Sequence, residues 1–149
     1  MKKIILSTAI MLALFSAAFA NYPDKATDRA TASFHKDFIS VSALRSEVIN
    51  NHVRVTFQEN NETRFAYYDF QGNLIGVVQH ILTSDLPNDL QKDIRKHYSN
   101  YWVTELFHVS TEEGEYYYLQ LTNADEIIVL SSDGSYGWHR YMTKKAADL

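Results

Sequence analysis

The spacing of apolar residues changes several times along the chain, and each period predicts a type of element. Between residues 30 and 41 apolar side chains recur every three or four positions, the period of a helix with one buried face, and Asp28 stands where a helix cap is expected. From Val53 the period becomes two, which is typical of half-buried strands. The strands predicted in this part of the chain are 47–50, 53–58, 64–69 and 74–81.

The same succession returns in the second half of the chain. Between residues 86 and 98 apolar side chains recur every four positions and predict a second helix. Its first turn accommodates Pro87, because the backbone nitrogen at that position has no partner within the helix. The strands predicted after it are 101–109, 115–122, 126–131 and 136–142.

These patterns predict an α+β fold of two tandem units, each a helix followed by an antiparallel sheet of about four strands. The first unit covers residues 30–82 and the second covers 83–142, with a tail at 143–149. Each unit has a glycine in the turn before its last strand, Gly72 in the first and Gly134 in the second. We therefore expect a divergent internal repeat.

The first twenty residues have the composition of a cleavable signal peptide. Lys2 and Lys3 precede an apolar stretch, and Ala18 and Ala20 supply the small residues that a signal peptidase reads. A polar leader at 21–29 follows. The sequence thus predicts an exported protein, periplasmic or secreted.

The net charge of the chain argues against two classes of binding partner, nucleic acids and anionic membranes. The chain carries 14 basic and 18 acidic residues, and loss of Lys2 and Lys3 with the signal peptide changes its charge from −4 to −6. Nucleic acids and anionic membrane surfaces bind basic patches, so we expect neither as a partner of the mature chain. The chain has no cysteine, which excludes disulfides and a thioether-linked lipid anchor.

Several motifs occur in an order and spacing that are typical of one bacterial family. They are Val53-x-Val55-x-Phe57, Phe65-Ala66-Tyr67-Tyr68-Asp69-Phe70-Gln71-Gly72, Leu86-Pro87-x-x-Leu90-x-x-x-Ile94-x-x-x-Tyr98-x-x-Tyr101 and Glu115-Tyr116-Tyr117-Tyr118-Leu119. In these the chain resembles the β-lactamase-inhibitor-like, PepSY-like family of bacterial periplasmic proteins. The resemblance implies the tandem α+β fold, export and no enzymatic activity, and it does not carry inhibition with it.

Catalytic and metal-binding patterns are weak in this sequence. No serine lies in a Gly-x-Ser-x-Gly turn, and the six histidines have none of the two- or four-residue spacings that place two metal ligands on one face. We therefore predict no catalytic residue, no metal site and no cofactor.

Aromatic side chains on the strands are the strongest candidates for a binding surface. Tyr116 and Tyr118 share one face of their strand, and Trp138 and Arg140 share one face of the last strand. Tyr68 is a further candidate for the same surface. Tyrosine, tryptophan and arginine give large, rigid contact areas with polar tips. The sequence predicts that these five residues form an open face that binds a protein or peptide.

Three functions remain open at this point. The leading one is a non-enzymatic protein- or peptide-binding module, with a regulatory or inhibitory role toward an envelope enzyme as its narrower form. The second is a small periplasmic hydrolase with a carboxylate–histidine site. The third is a structural envelope protein with no open binding face. Burial of Tyr116, Tyr118 and Trp138 would argue against the predicted binding face, and a histidine beside two carboxylates in a cavity would favour the hydrolase.

Overall fold

The computed structural model describes residues 24–145 of the chain. The predicted signal peptide, the beginning of the predicted leader and the end of the predicted tail lie outside the described residues. No helix within 24–145 combines the length and the apolar character needed to cross a membrane.

The described chain divides into two compact units. Unit 1 comprises residues 24–79 together with Ser110–Glu113, and unit 2 comprises His80–Val109 together with residues 114–145.

Unit 1 begins with helix α1, Asp24–Asp37. Ala26, Ala30 and Phe34 are four residues apart and buried, so they form the face that packs on the strands. The helix therefore starts before the predicted residue 30, because Ala26 is too small to stand out in the hydrophobic pattern. It also ends before the predicted residue 41, and the chain after Asp37 turns so that Phe38 still packs against the core.

Four strands follow the helix and neighbour one another in chain order, and the last of them ends at His80, the first residue of unit 2. They are β1 Ala43–Ile49, β2 His52–Glu59, β3 Glu62–Tyr68 and β4 Leu74–His80, and the pairs within the unit are antiparallel. Asn60 and Asn61 join β2 to β3 with φ angles of 52° and 65°. Two successive left-handed residues make the tight hairpin turn whose twist matches that of the strands.

The core of unit 1 lies between α1 and one face of these strands. Its buried members are Ala26, Ala30, Phe34, Val53, Val55, Phe57, Ala66 and Tyr68. The rings of Phe34 and Phe57 lie with centroids 5.1 Å apart, which joins the helix to the middle of β2. Gly72, with φ +91°, brings the β3–β4 hairpin against the helix, where an added Cβ would lie 3.0 Å from the Ser33 hydroxyl oxygen.

Unit 2 begins with a short 3-10 turn, Thr83–Asp85, and helix α2, Asn88–His97. Its strands, again neighbours in chain order, are β5 Trp102–Thr111, β6 Gly114–Thr122, β7 Glu126–Ser132 and β8 His139–Lys145. The last strand starts at His139 rather than at the predicted residue 136, because Gly137 has a φ of +85° and interrupts the extended chain. Strand β8 also includes residues 143–145, which the sequence predicts to belong to the tail.

The core of unit 2 lies beneath α2. Its buried members are Leu86, Leu90, Leu106, Leu119, Leu121, Ile128, Leu130 and Trp138. Leu119 is opposite Leu130, and Leu121 is opposite Ile128, so alternate positions of β6 and β7 supply one continuous apolar face. Helices packed on antiparallel strands confirm the predicted α+β class.

Candidate functional site

Trp138, a predicted binding residue, belongs to the core of unit 2. Its side chain is 8% exposed, and its indole N–H donates a hydrogen bond to the backbone carbonyl of Leu90 at 3.1 Å. Its backbone N–H donates to the Asp93 carboxylate, also at 3.1 Å. Both contacts tie the residue to α2, so its side chain offers no contact area to a partner.

Tyr68 is buried in the core of unit 1. Its hydroxyl donates a hydrogen bond to the Asp37 carboxylate at 3.0 Å. Burial and the neighbouring carboxylate both raise the pKa of this hydroxyl, which stays neutral. Tyr68 therefore joins β3 to the end of α1 and is not part of an open face.

The other three predicted residues lie on opposite faces of the unit 2 strands. Arg140 is exposed and opposite Leu130, on the face that α2 covers, whereas Tyr118 is opposite Ser131 on the other face. Tyr118 is itself buried and meets the Tyr141 ring edge-on with centroids 5.9 Å apart, while Tyr116 is partly exposed. The prediction of one exposed face holding all five residues is wrong, because Tyr68, Tyr118 and Trp138 are buried. Arg140 also lies on the face opposite to that of Tyr118 and Tyr116.

Two histidines of unit 2, His97 of α2 and His108 of β5, lie close to carboxylates. His97 Nδ1 lies 2.6 Å from Asp93 and His108 Nε2 lies 2.5 Å from Glu115. These side chains are largely or partly exposed, so water competes for both contacts. Within residues 24–145 no three histidine, aspartate or glutamate side chains are grouped so as to hold a metal ion.

The surface of unit 2 has an open groove. It has a volume of about 370 Å³ and lies between the segment that follows β4 and the first half of β5. Its lining residues are His80, Ile81, Leu82, Thr83, Val103, Thr104, Glu105 and Leu106. We call it the unit 2 groove.

The backbone explains why the groove opens at this point. The N–H of Ile81 donates to the carbonyl of Leu106 at 3.1 Å, which holds the two segments together. Leu82 is the last extended residue, and the 3-10 turn begins at Thr83. The Asp85 carboxylate of this turn accepts a hydrogen bond from the backbone N–H of Leu82 at 2.8 Å. The start of β5 continues past this point, so a cleft separates it from Leu82 and Thr83.

The rim of the unit 2 groove is apolar and accessible. Leu82 is 71% exposed and Val103 is 41% exposed, and the neighbouring Trp102 is 69% exposed. Exposed apolar residues are ordinary when they are scattered singly, but Leu82 and Val103 both line one cleft, as apolar residues do at interaction sites. Trp102 lies outside the groove lining, because its side chain leaves β5 on the face opposite to that of Val103. The sequence predicts Leu82 at the end of the first unit, just after a strand, and Val103 within the strand 101–109. Only the folded chain brings the two residues together.

A polar pair lies at the same cleft. The His80 ring nitrogen Nδ1 is 3.5 Å from the Glu105 carboxylate, and both side chains are substantially exposed. The His80 ring also packs on Phe107 with centroids 4.3 Å apart, which fixes the ring against β5. The Thr104 hydroxyl is held by Gln120 and Thr122 of β6. The groove thus combines an apolar rim with a few positioned polar groups, as binding sites do.

Solved structures of the same fold come from Bacteroides species. A BLIP-like protein from Bacteroides fragilis NCTC 9343 has a TM-score of 0.66 at 11% identity, over 85% of this chain and 89% of its own. A DUF2874 family protein from Bacteroides ovatus ATCC 8483 has a TM-score of 0.69 at 12% identity, over 87% and 92%. A protein from Bacteroides eggerthii DSM 20697, classed as periplasmic, has a TM-score of 0.68 at 8% identity, over 87% and 92%.

Sequence comparisons identify nothing further: no protein-family model matches the chain, and no curated protein sequence matches it. Identities this low show the fold alone. The predicted resemblance to β-lactamase-inhibitor-like proteins is confirmed at that level, and the chain shares the α+β fold of BLIP-like and DUF2874 family proteins.

Proposed function

We propose that this protein is an exported, non-catalytic module that binds an extended apolar segment of another protein in the unit 2 groove. The observation that carries the proposal is the exposure of Leu82 and Val103 in the lining of one cleft. Covering a leucine or valine side chain stabilises a complex by about 1.5–3 kcal/mol.

The polar groups favour a polypeptide as the occupant. Glu105 and His80 can accept and donate hydrogen bonds beside the apolar rim, so they can satisfy the backbone of an extended segment. The cleft is open rather than enclosed and is lined by residues 103–106 of β5, which suits an extended chain more than a small molecule that needs an enclosed cavity. We infer that the partner inserts one large apolar side chain between Leu82 and Val103.

Export is supported by the signal-peptide pattern of residues 1–20 and by a structural neighbour that is classed as periplasmic. This location limits the partner to envelope or extracellular proteins. A regulatory or inhibitory effect on an envelope enzyme is the narrower form of the proposal. A non-catalytic role agrees with the exposed, solvated settings of the histidine–carboxylate pairs.

We also infer that the two units are divergent copies of one ancestral unit. Each has a helix followed by four strands, and each uses a left-handed glycine to bring its last hairpin against the helix. In unit 1 this is Gly72 beside Ser33, and in unit 2 it is Gly137 beside Asp93. The sequence pattern instead pairs Gly72 with Gly134, where an added Cβ would lie nearest to the Tyr117 ring of β6.

The test is a peptide-display selection against the mature chain, followed by affinity measurement of the selected peptides. We expect the selected peptides to share large apolar residues and to bind a Leu82→Ser/Val103→Thr variant at least about tenfold more weakly. The matched control is Ile39→Ser/Leu44→Thr, which changes two exposed apolar residues of unit 1 and leaves the groove intact. Equal weakening by both variants would refute the groove as the binding site.

A further inference from the structure

Strand β8, His139–Lys145, is the last strand in the order of the sheet and has β7 as its one neighbour within the described residues. A strand in this position has backbone N–H and C=O groups directed away from its neighbour, where another chain can pair with them. Five of its seven residues are exposed: His139, Arg140, Thr143, Lys144 and Lys145.

The side chains of β8 make this edge cationic. It carries three of the chain's 14 lysines and arginines and contains no acidic residue, although the chain as a whole is acidic. None of the ion pairs formed within residues 24–145 involves Arg140, Lys144 or Lys145. By contrast, the edge strand of unit 1 is neutralised, since Arg45 of β1 pairs with Glu47 at 2.8 Å.

The register distributes these charges over both faces of the strand. Lys144 is opposite Ile127 on one face, whereas Thr143 is opposite Ile128 on the face that α2 covers. Lys145 is opposite Glu126, whose carboxylate already accepts the hydroxyl of Tyr101. A strand added along β8 would therefore meet cations on both of its own faces.

We propose that β8 binds an acidic, extended segment of another protein by strand addition. The partner's backbone supplies hydrogen bonds to the open edge, and its carboxylates pair with Arg140, Lys144 and Lys145. Backbone pairing gives affinity in this mode, and the side chains give specificity. The opposite possibility is that the lysines only block pairing, a common role of lysine on edge strands.

The experiment measures fluorescence polarisation of the labelled peptide Thr-Glu-Glu-Val-Thr-Glu-Glu-Val-Thr with the mature protein. Two further peptides accompany it, one with lysine in place of every glutamate and one N-methylated at alternate backbone nitrogens. We expect the acidic peptide to bind and both of the others to bind at least about tenfold more weakly, because strand addition needs charge and backbone donors together.

Protein variants locate the site. Lys144→Glu/Lys145→Glu should weaken binding of the acidic peptide about tenfold or more. Lys144→Thr/Lys145→Thr should also weaken its binding, and because threonine favours strands this variant removes the charges without disturbing β8. Lys25→Glu/Lys36→Glu makes the same charge change on exposed positions of α1 and should leave the affinity within about twofold. Absence of binding at low salt, equal binding of the N-methylated peptide, or equal weakening by the β8 and α1 variants would each overturn the proposal.

Discussion

The indole N–H of Trp138 donates a hydrogen bond to the backbone carbonyl of Leu90, 3.1 Å away. This contact joins the chain just before β8 to the first turn of α2, and the ring fills the core between them. The sequence predicts that Trp138 binds a partner at the surface, whereas the structure shows that it stabilises the core of unit 2.

Removing the Trp138 side chain should therefore destabilise the protein. Trp138→Phe keeps most of the apolar volume but leaves the Leu90 carbonyl unpaired, and we expect it to lower the unfolding free energy by about 1–3 kcal/mol. Trp138→Ala also creates a cavity, with a loss of about 3–5 kcal/mol. The measurement is urea unfolding monitored by circular dichroism, with the exposed Trp102→Ala as the control, whose loss should stay within about 0.5 kcal/mol. Similar losses at positions 138 and 102 would contradict the structure.

Asp93 should also contribute to the stability of unit 2, because it contacts the segment that contains Trp138. Its carboxylate accepts the backbone N–H of Trp138 at 3.1 Å and faces the His97 ring at 2.6 Å. Asp93→Ala leaves the N–H without its acceptor, and we expect the unfolding free energy to fall by about 1–3 kcal/mol, while Asp93→Asn keeps an acceptor and loses less. Asp89→Ala removes only an exposed pair with Lys92, so its effect in the same urea titration should be below about 0.5 kcal/mol.

Gly72 should tolerate substitution less well than Gly134. Both have positive φ angles, +91° and +85°, so alanine at either position costs about 1–2 kcal/mol of backbone strain. At Gly72 the added Cβ would also lie 3.0 Å from the Ser33 hydroxyl oxygen, whereas at Gly134 the nearest atom, of Tyr117, is 3.4 Å away. We expect Gly72→Ala to have the lower unfolding free energy of the two variants, and Ser33→Ala to restore part of the difference. A double-mutant cycle that shows no coupling between positions 33 and 72 would argue against the contact.

His52 should make stability depend on pH. Burial lowers the pKa of its side chain from 6.5, with the nearby Asp69 opposing the shift, and its Nδ1 atom is buried without a hydrogen-bond partner among the described residues. The unfolded chain therefore takes up a proton at higher pH than the folded chain, so the unfolding free energy falls as the pH drops below 6.5. We expect His52→Gln to lose less stability than the wild type between about pH 7.5 and about pH 5.5, measured by urea unfolding at both pH values. Identical losses in the two proteins would show that His52 is not buried in this way.

Periodicity in the sequence was sufficient to predict the class of fold and most of its strands, because one face of each strand and helix is buried. It could not decide which face of a strand meets a helix. The two-residue spacing of Ala66 and Tyr68 places them on one face of their strand, but only the packing against α1 shows that this face is the core. In β8 the pattern was obscured by the left-handed Gly137 and by a register shift between Val129 and Leu130.

The unit 2 groove could not be predicted from local patterns at all. Leu82 and Val103 are far apart in sequence, and each is an ordinary apolar residue in its own segment. Their proximity depends on the pairing of Ile81 with Leu106 and on the turn that follows it. Exposure of an apolar residue is a property of the folded chain, since apolar residues of a strand look alike in sequence whether or not a neighbour covers them.

The most direct test of the proposed function compares the dissociation constant of one display-selected peptide for three proteins: the wild type, the groove variant Leu82→Ser/Val103→Thr and the control Ile39→Ser/Leu44→Thr. Thermal unfolding of each protein verifies that the variants are folded. The groove account predicts at least about tenfold weaker binding to the groove variant and an unchanged dissociation constant for the control. Unchanged binding to a folded groove variant would contradict it.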